Sequence, residues 1–421
     1  MKATVFRSDI GGEFTAPPSK SYALRYLIAA FLSGEKVTVC DVGSSKDVFY
    51  ALKALSALGA QYDLRGGDVA FSGRKDVDNA VIDCGESATL YRILLCVTAA
   101  LGVKARFITS DTLAARPHDS LIKLLNEHGA KTDGVFLSGK LTGGIYEVDC
   151  KLTSQYLSGL LFALPLIGGV RVDTPDKPVS APYVAMTLAV LKDMGVEWER
   201  RDNRFVLNAA KAFKPRSDKL IIEGDWSAAA FAFAACSSGN VVRAKGLDGE
   251  SLQGDRRLKE IFSKFGFEVS VDENFVEAKA PERLTATTVD CEHIPDLVPA
   301  LAALSARACG VTTLKNVARL RYKESDRISA ISAVLEKFSV SCGFDGSDLI
   351  ITGNGGKEIN TPSRVYIDCA DHRIAMLAAA LASAYSVGGA TLVNAECVNK
   401  SYSSFFDDLI RLNGRVSYVD I

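Results

Sequence analysis

The sequence of 421 residues is poor in the marks of several large protein classes. It has only four histidines, and none makes a metal-ligand spacing: His118 and His128 stand ten apart, while His293 and His372 lie in other parts of the chain. A metal hydrolase is disfavoured, and no metal is expected. The ten cysteines contain no C-x-x-C pair, which argues against a zinc ribbon or a disulfide framework. Most lie inside apolar runs and read as buried free thiols of a reducing compartment. No sign of charge dominates: 49 basic and 50 acidic residues leave a net charge of -1, so no global field draws the chain to nucleic acid or an anionic membrane. The first residues, MKATVFRSDIGGEF, carry charges where a signal peptide needs an apolar stretch, and a cytoplasmic protein is expected. Residues 152–170 and 374–395 are uncharged and long enough to imitate membrane spans, yet both carry serine and glycine and sit in a repeated pattern, so no transmembrane segment is expected.

What is present is the balance of a soluble globular protein, with 48% hydrophobic and 24% charged residues. The length suits two to three domains or one repeated architecture. A repeat is there. Amphipathic helix patterns end at Leu58-Gly59, His128-Gly129, Met194-Gly195, Phe265-Gly266, Phe338-Ser339 and Asn413-Gly414, about 70 residues apart. Between them runs a second, more apolar series that is expected to stop at Gly34, Gly102, Gly168, Gly239, Gly310 and Gly388. Helices such as SAAAFAFAAC (227–236) are apolar all round and need cover on every side. Short β-branched runs at 36–39, 241–243 and 391–393 supply strands. Six units exceed one core and suit two closed lobes of three units each: 16–223, and 1–15 plus 224–421.

The residues at the helix starts carry the functional signal. The apolar series opens at Ser19-Lys20-Ser21, Glu86 to Thr89, Ser154-Gln155, Asp225 to Ser227, Ile294 to Asp296 and Asp371 to Arg373. The other series opens at Arg116 to His118, Ser180 to Tyr183, Arg321 to Glu324 and Lys400-Ser401. Serine, threonine and aspartate there can be plain caps. Cations oppose the helix dipole, and structure alone gives no reason for Lys20, Arg116, Lys323, Arg373 and Lys400. Binding of small polyanions does, because helix N-termini flanked by Lys and Arg hold phosphates and carboxylates. Arg25, Arg92, Arg321 and Arg327 extend the set. Asp47, Asp296, Glu324 and Asp371 are the few acids nearby. For Glu324 a structural ion pair and a proton-transfer role stand about level. His372 either polarises a substrate or caps its helix. Pro18 to Ser21 ends like a P-loop but lacks its glycines, and Gly353 to Gly356 and Gly66 to Asp68 read as hairpin turns.

Nine segments in order resemble the enolpyruvyl transferase family over essentially the whole chain: PPSKSYALR (17–25), CGESATLYR (84–92), Arg116-Pro117, TSQYLSGLLFALPL (153–166), SAPYVAMTL (180–188), HIPD (293–296), KESDR (323–327), DHRIAM (371–376) and Lys400. The resemblance implies an α/β fold of two lobes, each of three βαβαββ-type units with buried helices, the inside-out α/β barrel of that family, closing like a clamp. It implies transfer of the enolpyruvyl group of phosphoenolpyruvate to the 5-hydroxyl of shikimate 3-phosphate, releasing phosphate, with no metal or organic cofactor, by a chain acting as a monomer. By position, Lys20, Ser21, Arg25, Thr153, Ser154, Gln155, Ser180, Tyr183, Asp296 and Lys323 should hold shikimate 3-phosphate. Lys20, Ala88, Arg92, Arg116, Gln155, Arg327, Arg373 and Lys400 should hold phosphoenolpyruvate. Asp296 is assigned to the hydroxyl and Glu324 to the methylene carbon, with Lys20 assisting.

The chain departs from the family pattern in places. Ala88 and Glu86 stand where Gly and Asn are usual, Ala114-Ala115 replaces basic residues, and Pro18 replaces Gly. The Ala88 methyl is expected to crowd the longer inhibitor glyphosate more than phosphoenolpyruvate. The branch acting on UDP-N-acetylglucosamine would show Lys-Asn in the first motif and a cysteine before Arg-Pro; here Ser21 follows Lys20 and residues 111–115 have no cysteine. RNA terminal phosphate cyclases would show a basic face and a catalytic histidine, and a non-catalytic repeat clamp would lack the acids Asp296, Glu324 and Asp371.

Overall fold

Six four-stranded sheets account for the strands among the described residues, and they are built alike. In one, Asn79–Asp83 runs parallel to Lys104–Ile108, which pairs antiparallel with Phe136–Gly139, itself antiparallel to Ala130–Thr132. Helix Ala88–Leu101 joins the two parallel strands, and helix Asp119–Glu127 leads into the antiparallel pair. The order is therefore βαβαββ. The computed structural model describes residues 1–273, 275–357 and 364–419.

Three of the sheets are completed from far along the chain, one of them by Gly12–Thr15, which runs parallel to Val241–Lys245. Val37–Cys40 takes its parallel neighbour from Lys219–Ile221. Lys2–Phe6 is the inner strand between Ala390–Val393 and Arg415–Val419. All three closures fall inside the two compact units into which the chain divides, Pro18–Ile222 and Met1–Pro17 with Glu223–Ile421.

Each unit has one apolar core with three of the all-apolar helices in it. Lys20–Ser33, Ala88–Leu101 and Gln155–Ala163 serve the first; Trp226–Ala235, Val298–Arg307 and His372–Tyr385 serve the second. Every residue of the last three is buried, as helices without a polar face must be. Close approach is secured at Gly159, where an added Cβ would lie 2.8 Å from both the Arg92 carbonyl and Cys96 Sγ. No helix among the described residues is long and apolar enough to cross a membrane. The two uncharged stretches fold instead as a buried helix followed by a strand, Val170–Asp173 or Ala390–Val393.

The helix ends correct part of the reading from sequence. Gly34 and Gly102 are left-handed caps, as expected. The other four apolar helices end before their glycine. Gln155–Ala163 runs into a 3₁₀ turn at Pro165, and the remaining three end on the extended Cys236, Ala308 and Ser386. Gly389, not Gly388, holds the positive φ before the last of the following strands. In the amphipathic series the left-handed residue after the helix is glycine four times, then Ser339 (φ 58°) and Asn413 (φ 68°). Gly66-Gly67 does join a hairpin, Ala60–Arg65 with Asp68–Arg74. Gly353 to Gly356 does not: Leu349–Thr352 is followed by Val365–Asp368 of a different sheet, so the glycines lie in a connection.

Candidate active site

The candidate residues fall into two sets, one per unit. In Pro18–Ile222 the buried helices open at Ser19, Ser87 and Ser154, so Lys20, Ala88 and Gln155 are first helical residues. Lys20 Nζ lies 3.3 Å from Asp47 Oδ2, which also accepts from Ser87 Oγ at 2.9 Å. The acid that balances Lys20 is thus supplied by the neighbouring helix Lys46–Ala57.

Arg92 is the junction of the second and third repeats. Its Nη1 donates to Gln155 Oε1 (2.6 Å), its Nη2 to the Pro117 carbonyl (2.9 Å) and its Nε to His118 Nδ1 (3.3 Å). Gln155 in turn donates to Thr89 Oγ1 at 2.8 Å, and its own backbone N–H is held by Thr153 Oγ1. His118 Nε2 lies 3.0 Å from the Leu113 carbonyl, which places the ring proton there and leaves Nδ1 to accept. Burial first, then Arg92 and Arg116, push the His118 pKa down to about 4, so the ring stays neutral. Histidine spacing had excluded His118 as a ligand; its part in fixing Arg92 has no sequence signal of its own.

Arg25 is 1% exposed. Its guanidinium donates to Thr187 Oγ1 (2.9 Å) and to the carbonyls of Ser21 (2.7 Å) and Tyr183 (3.3 Å), joining the first and third repeats. Burial lowers its pKa to about 10, which leaves it charged at neutral pH. Ser180 caps helix Ala181–Asp193 with φ 52° and ψ 41°, a left-handed conformation that costs a serine of order 1 kcal/mol. Arg116, buried, lies just before His118 at the start of helix Asp119–Glu127.

In the other unit one arginine gathers three acids. Arg327 opens helix Arg327–Lys337 and is 1% exposed. It donates to Asp371 Oδ2 (2.8 Å), Asp296 Oδ1 (2.9 Å) and Glu324 Oε2 (2.6 Å). Burial alone would lower its pKa; Asp371, Glu324 and Asp296 together raise it well above the usual arginine value. Asp371 also accepts from the Arg373 backbone N–H (2.9 Å), so it, and not His372, caps helix His372–Tyr385. His372 Nδ1 stands 3.4 Å from Asp371 Oδ1. Burial works against the Asp371 charge, and Arg327 holds its pKa below the ordinary value.

Asp296 has three cations about it: Arg327, Arg373 Nε at 3.6 Å and Lys323 Nζ at 3.7 Å. Burial would raise its pKa, but Arg373, Lys323 and Arg327 hold it well below the carboxylate range. Lys323 responds in the opposite sense: burial lowers it to about 8 despite Asp296. Lys323 and Lys400 precede their helices by several residues, on a 3₁₀ segment or just after one, so neither stands at a helix start in the strict sense. Each cation whose presence the helix dipole could not explain, among Lys20, Lys323 and Arg373, faces an acid brought from another element. Glu324 does make the ion pair that one of its two readings anticipated. No cluster among the described residues could hold a metal ion.

Built from repeated βαβαββ units with cations gathered at or near the starts of its helices, the protein is of the enolpyruvyl transferase class. Its fold matches the enolpyruvyl transferase NikO from Streptomyces tendae (TM-score 0.77, 18% identity, 99% of this chain and 98% of the other). It matches the EPSP synthase of Acinetobacter baumannii at TM-score 0.80 with 22% identity, over 99% of this chain and 100% of the other. The sequence model for EPSP synthase (3-phosphoshikimate 1-carboxyvinyltransferase) matches residues 6–409, and the chain belongs to that family. It is 32% identical to the 3-phosphoshikimate 1-carboxyvinyltransferase of Clostridium beijerinckii, over 97% of each chain, and 35% identical to that of Methanopyrus kandleri, over 95% of each. It is a transferase of the shikimate pathway that moves the enolpyruvyl group of phosphoenolpyruvate to shikimate 3-phosphate.

Proposed function

We propose a division of labour in which Asp296 and Glu324 carry the proton transfers and the helix-start cations carry the anions. The observation behind it is the Asp296 carboxylate, kept ionised by Lys323, Arg327 and Arg373 and joined through Arg327 to Glu324. Asp296 takes the proton of the 5-hydroxyl as its oxygen bonds to C2 of phosphoenolpyruvate. Glu324 delivers a proton to the C3 methylene, giving a tetrahedral phosphate-bearing intermediate. Elimination reverses the second transfer: Glu324 recovers a proton from the new methyl group as the C2–O bond to phosphate breaks. Lys20 steadies the charge of the departing phosphate.

Ser21, Thr153, Ser154, Gln155, Ser180, Tyr183 and Lys323 are the groups for shikimate 3-phosphate. Arg25 joins them by exchanging one of its carbonyl partners for the ligand. Arg92, Arg116, Arg373 and Lys400 serve phosphoenolpyruvate beside Ala88, with Gln155 shared. Arg327, committed to three acids, acts on phosphoenolpyruvate through the acids it orients, and His372 supports Asp371. The reaction is placed in the cytoplasm, performed by a single copy of the chain; all ten cysteines are free thiols, as a reducing compartment allows.

The test is phosphate release from phosphoenolpyruvate with shikimate 3-phosphate, run beside UDP-N-acetylglucosamine. Release is expected with the former alone. Asp296→Asn should lower kcat by about 100-fold or more with the fold intact, since a positioned proton acceptor is lost. An Asp296→Asn enzyme within a few-fold of the parent would sink the assignment.

A further inference from the structure

Thr187 has no direct part in the reaction just described, yet its hydroxyl holds a group that does. It lies inside helix Ala181–Asp193 and is fully buried. β-Branching slightly lowers helix propensity, and a buried hydroxyl costs free energy unless it is bonded. Thr187 Oγ1 stands 2.9 Å from the Tyr183 carbonyl one turn earlier, 2.9 Å from Arg25 Nε, and 3.1 Å from Ser158 Oγ of the buried helix Gln155–Ala163. A carbonyl only accepts, so the single hydroxyl proton goes to Tyr183, and the lone pairs of the oxygen are left facing Arg25 and Ser158. The bond back to Tyr183 satisfies the hydroxyl by itself. The contact with Arg25 is more than that structural role requires.

The three partners of Arg25 differ in kind. The carbonyls of Ser21 and Tyr183 accept from Nη1 (2.7 Å) and Nη2 (3.3 Å), and both belong to residues assigned to shikimate 3-phosphate. Thr187 stands outside that set and takes Nε, the guanidinium nitrogen nearest the main chain. The guanidinium is a rigid plane, here with its carbon 5.8 Å from the centre of the Tyr183 ring, so an acceptor fixed at Nε also fixes where the outer N–H groups point.

We propose that Thr187 is a positioning residue for shikimate 3-phosphate: its hydroxyl anchors Arg25 at Nε and so aims the outer N–H groups at the anionic substrate. The anchor stays in place while a carbonyl partner is exchanged for the ligand. The proposal rests on the assignment of Arg25 to shikimate 3-phosphate.

The experiment measures kcat and both KM values, each with the other substrate saturating, for the full chain, Thr187→Val, Thr187→Ser, Arg25→Met and the double variant Arg25→Met with Thr187→Val. Valine keeps the shape of threonine without the hydroxyl, so KM for shikimate 3-phosphate should rise about tenfold, the worth of one hydrogen bond to a charged group, while KM for phosphoenolpyruvate stays within about twofold. Serine keeps the hydroxyl and should hold KM for shikimate 3-phosphate within about threefold of the parent. Methionine offers no donor, so Thr187→Val should add nothing to Arg25→Met, the non-additivity expected when one residue acts through another. An unchanged KM for shikimate 3-phosphate in Thr187→Val, an equal rise of both KM values, or full additivity in the double variant overturns the proposal. An Arg25→Met enzyme with unaltered KM for shikimate 3-phosphate overturns the Arg25 assignment too, which tells the two failures apart. Thr187→Cys, whose thiol is a poor acceptor, replaces Thr187→Val in every arm if the valine variant does not fold.

Discussion

Lys323 and Asp296 show how one contact moves two acidities in ways that can be measured. Burial takes the lysine down to about 8, so its charge fades as pH rises through that value. If it holds the phosphate of shikimate 3-phosphate, KM for that substrate should climb above pH 8, and Lys323→Arg, charged throughout, should shift that climb upward by at least one pH unit. A steady-state pH series on both proteins checks this. Ala88 offers a second test at this scale. Its methyl lies buried at the first position of the helix that carries Thr89 and Arg92. Ala88→Gly should lower the glyphosate inhibition constant by about tenfold or more while KM for phosphoenolpyruvate changes little, because removing a methylene-sized obstacle is worth about 1–3 kcal/mol. Equal inhibition of both proteins would remove Ala88 from that role. The candidate site could be proposed from residues alone, since cations such as Lys20 and Arg373 at helix starts oppose the dipole and so suggest an anionic ligand. What could not be read was pairing. Asp371 looked like one acid among several, yet it caps a helix and grips Arg327. His118 matters only through a neighbour 26 positions away, Arg92.

At the scale of elements, helix stops were less legible than helix starts. Ser19, Ser87, Ser154, Asp225 and Asp371 all stand at the N-cap where the sequence placed openings, although of these five only the two aspartates accept a helix N–H with their side chains. The stops misled because an apolar helix packed on all sides can end on an extended residue and leave its glycine to the next turn, as at Cys236 and Gly239. The amphipathic series shows the reverse case, in which the conformation persists without the glycine. Ser339 keeps φ 58° after helix Arg327–Lys337, where four other copies have glycine. Ser339→Gly relieves a left-handed serine and adds freedom to the unfolded chain, for a net gain of about 0.5 kcal/mol. Urea unfolding should show the midpoint rise, and a fall would mean that the serine side chain contributes more than its backbone costs.

For the whole molecule the repeat explains most of what sequence gave away, because six copies of one pattern repeat each signal six times. The closures had the weakest signals. Lys219–Ile221 is a three-residue strand, and its partner Val37–Cys40 is almost two hundred residues distant. Deleting residues 1–6 removes the inner strand of the last sheet and strands the backbone groups of Ala390–Val393 and Arg415–Val419. Hydrogen exchange should then quicken in residues 223–419 while amides of 18–222 keep their protection; equal loss in both would show that the units do not stand separately.

The placement of Lys2–Phe6 also sets an order of assembly on the ribosome. The segment is made early and used late, because its partners at 390–393 and 415–419 follow it by nearly four hundred residues. Residues 18–222 can close on themselves once Lys219–Ile221 has left the exit tunnel, well before the partners of Lys2–Phe6 appear. Gly12–Thr15 finds its neighbour Val241–Lys245 earlier, but until residues 390–419 appear Lys2–Phe6 trails with no sheet to join, a span in which a chaperone that masks bare strand edges has most to do.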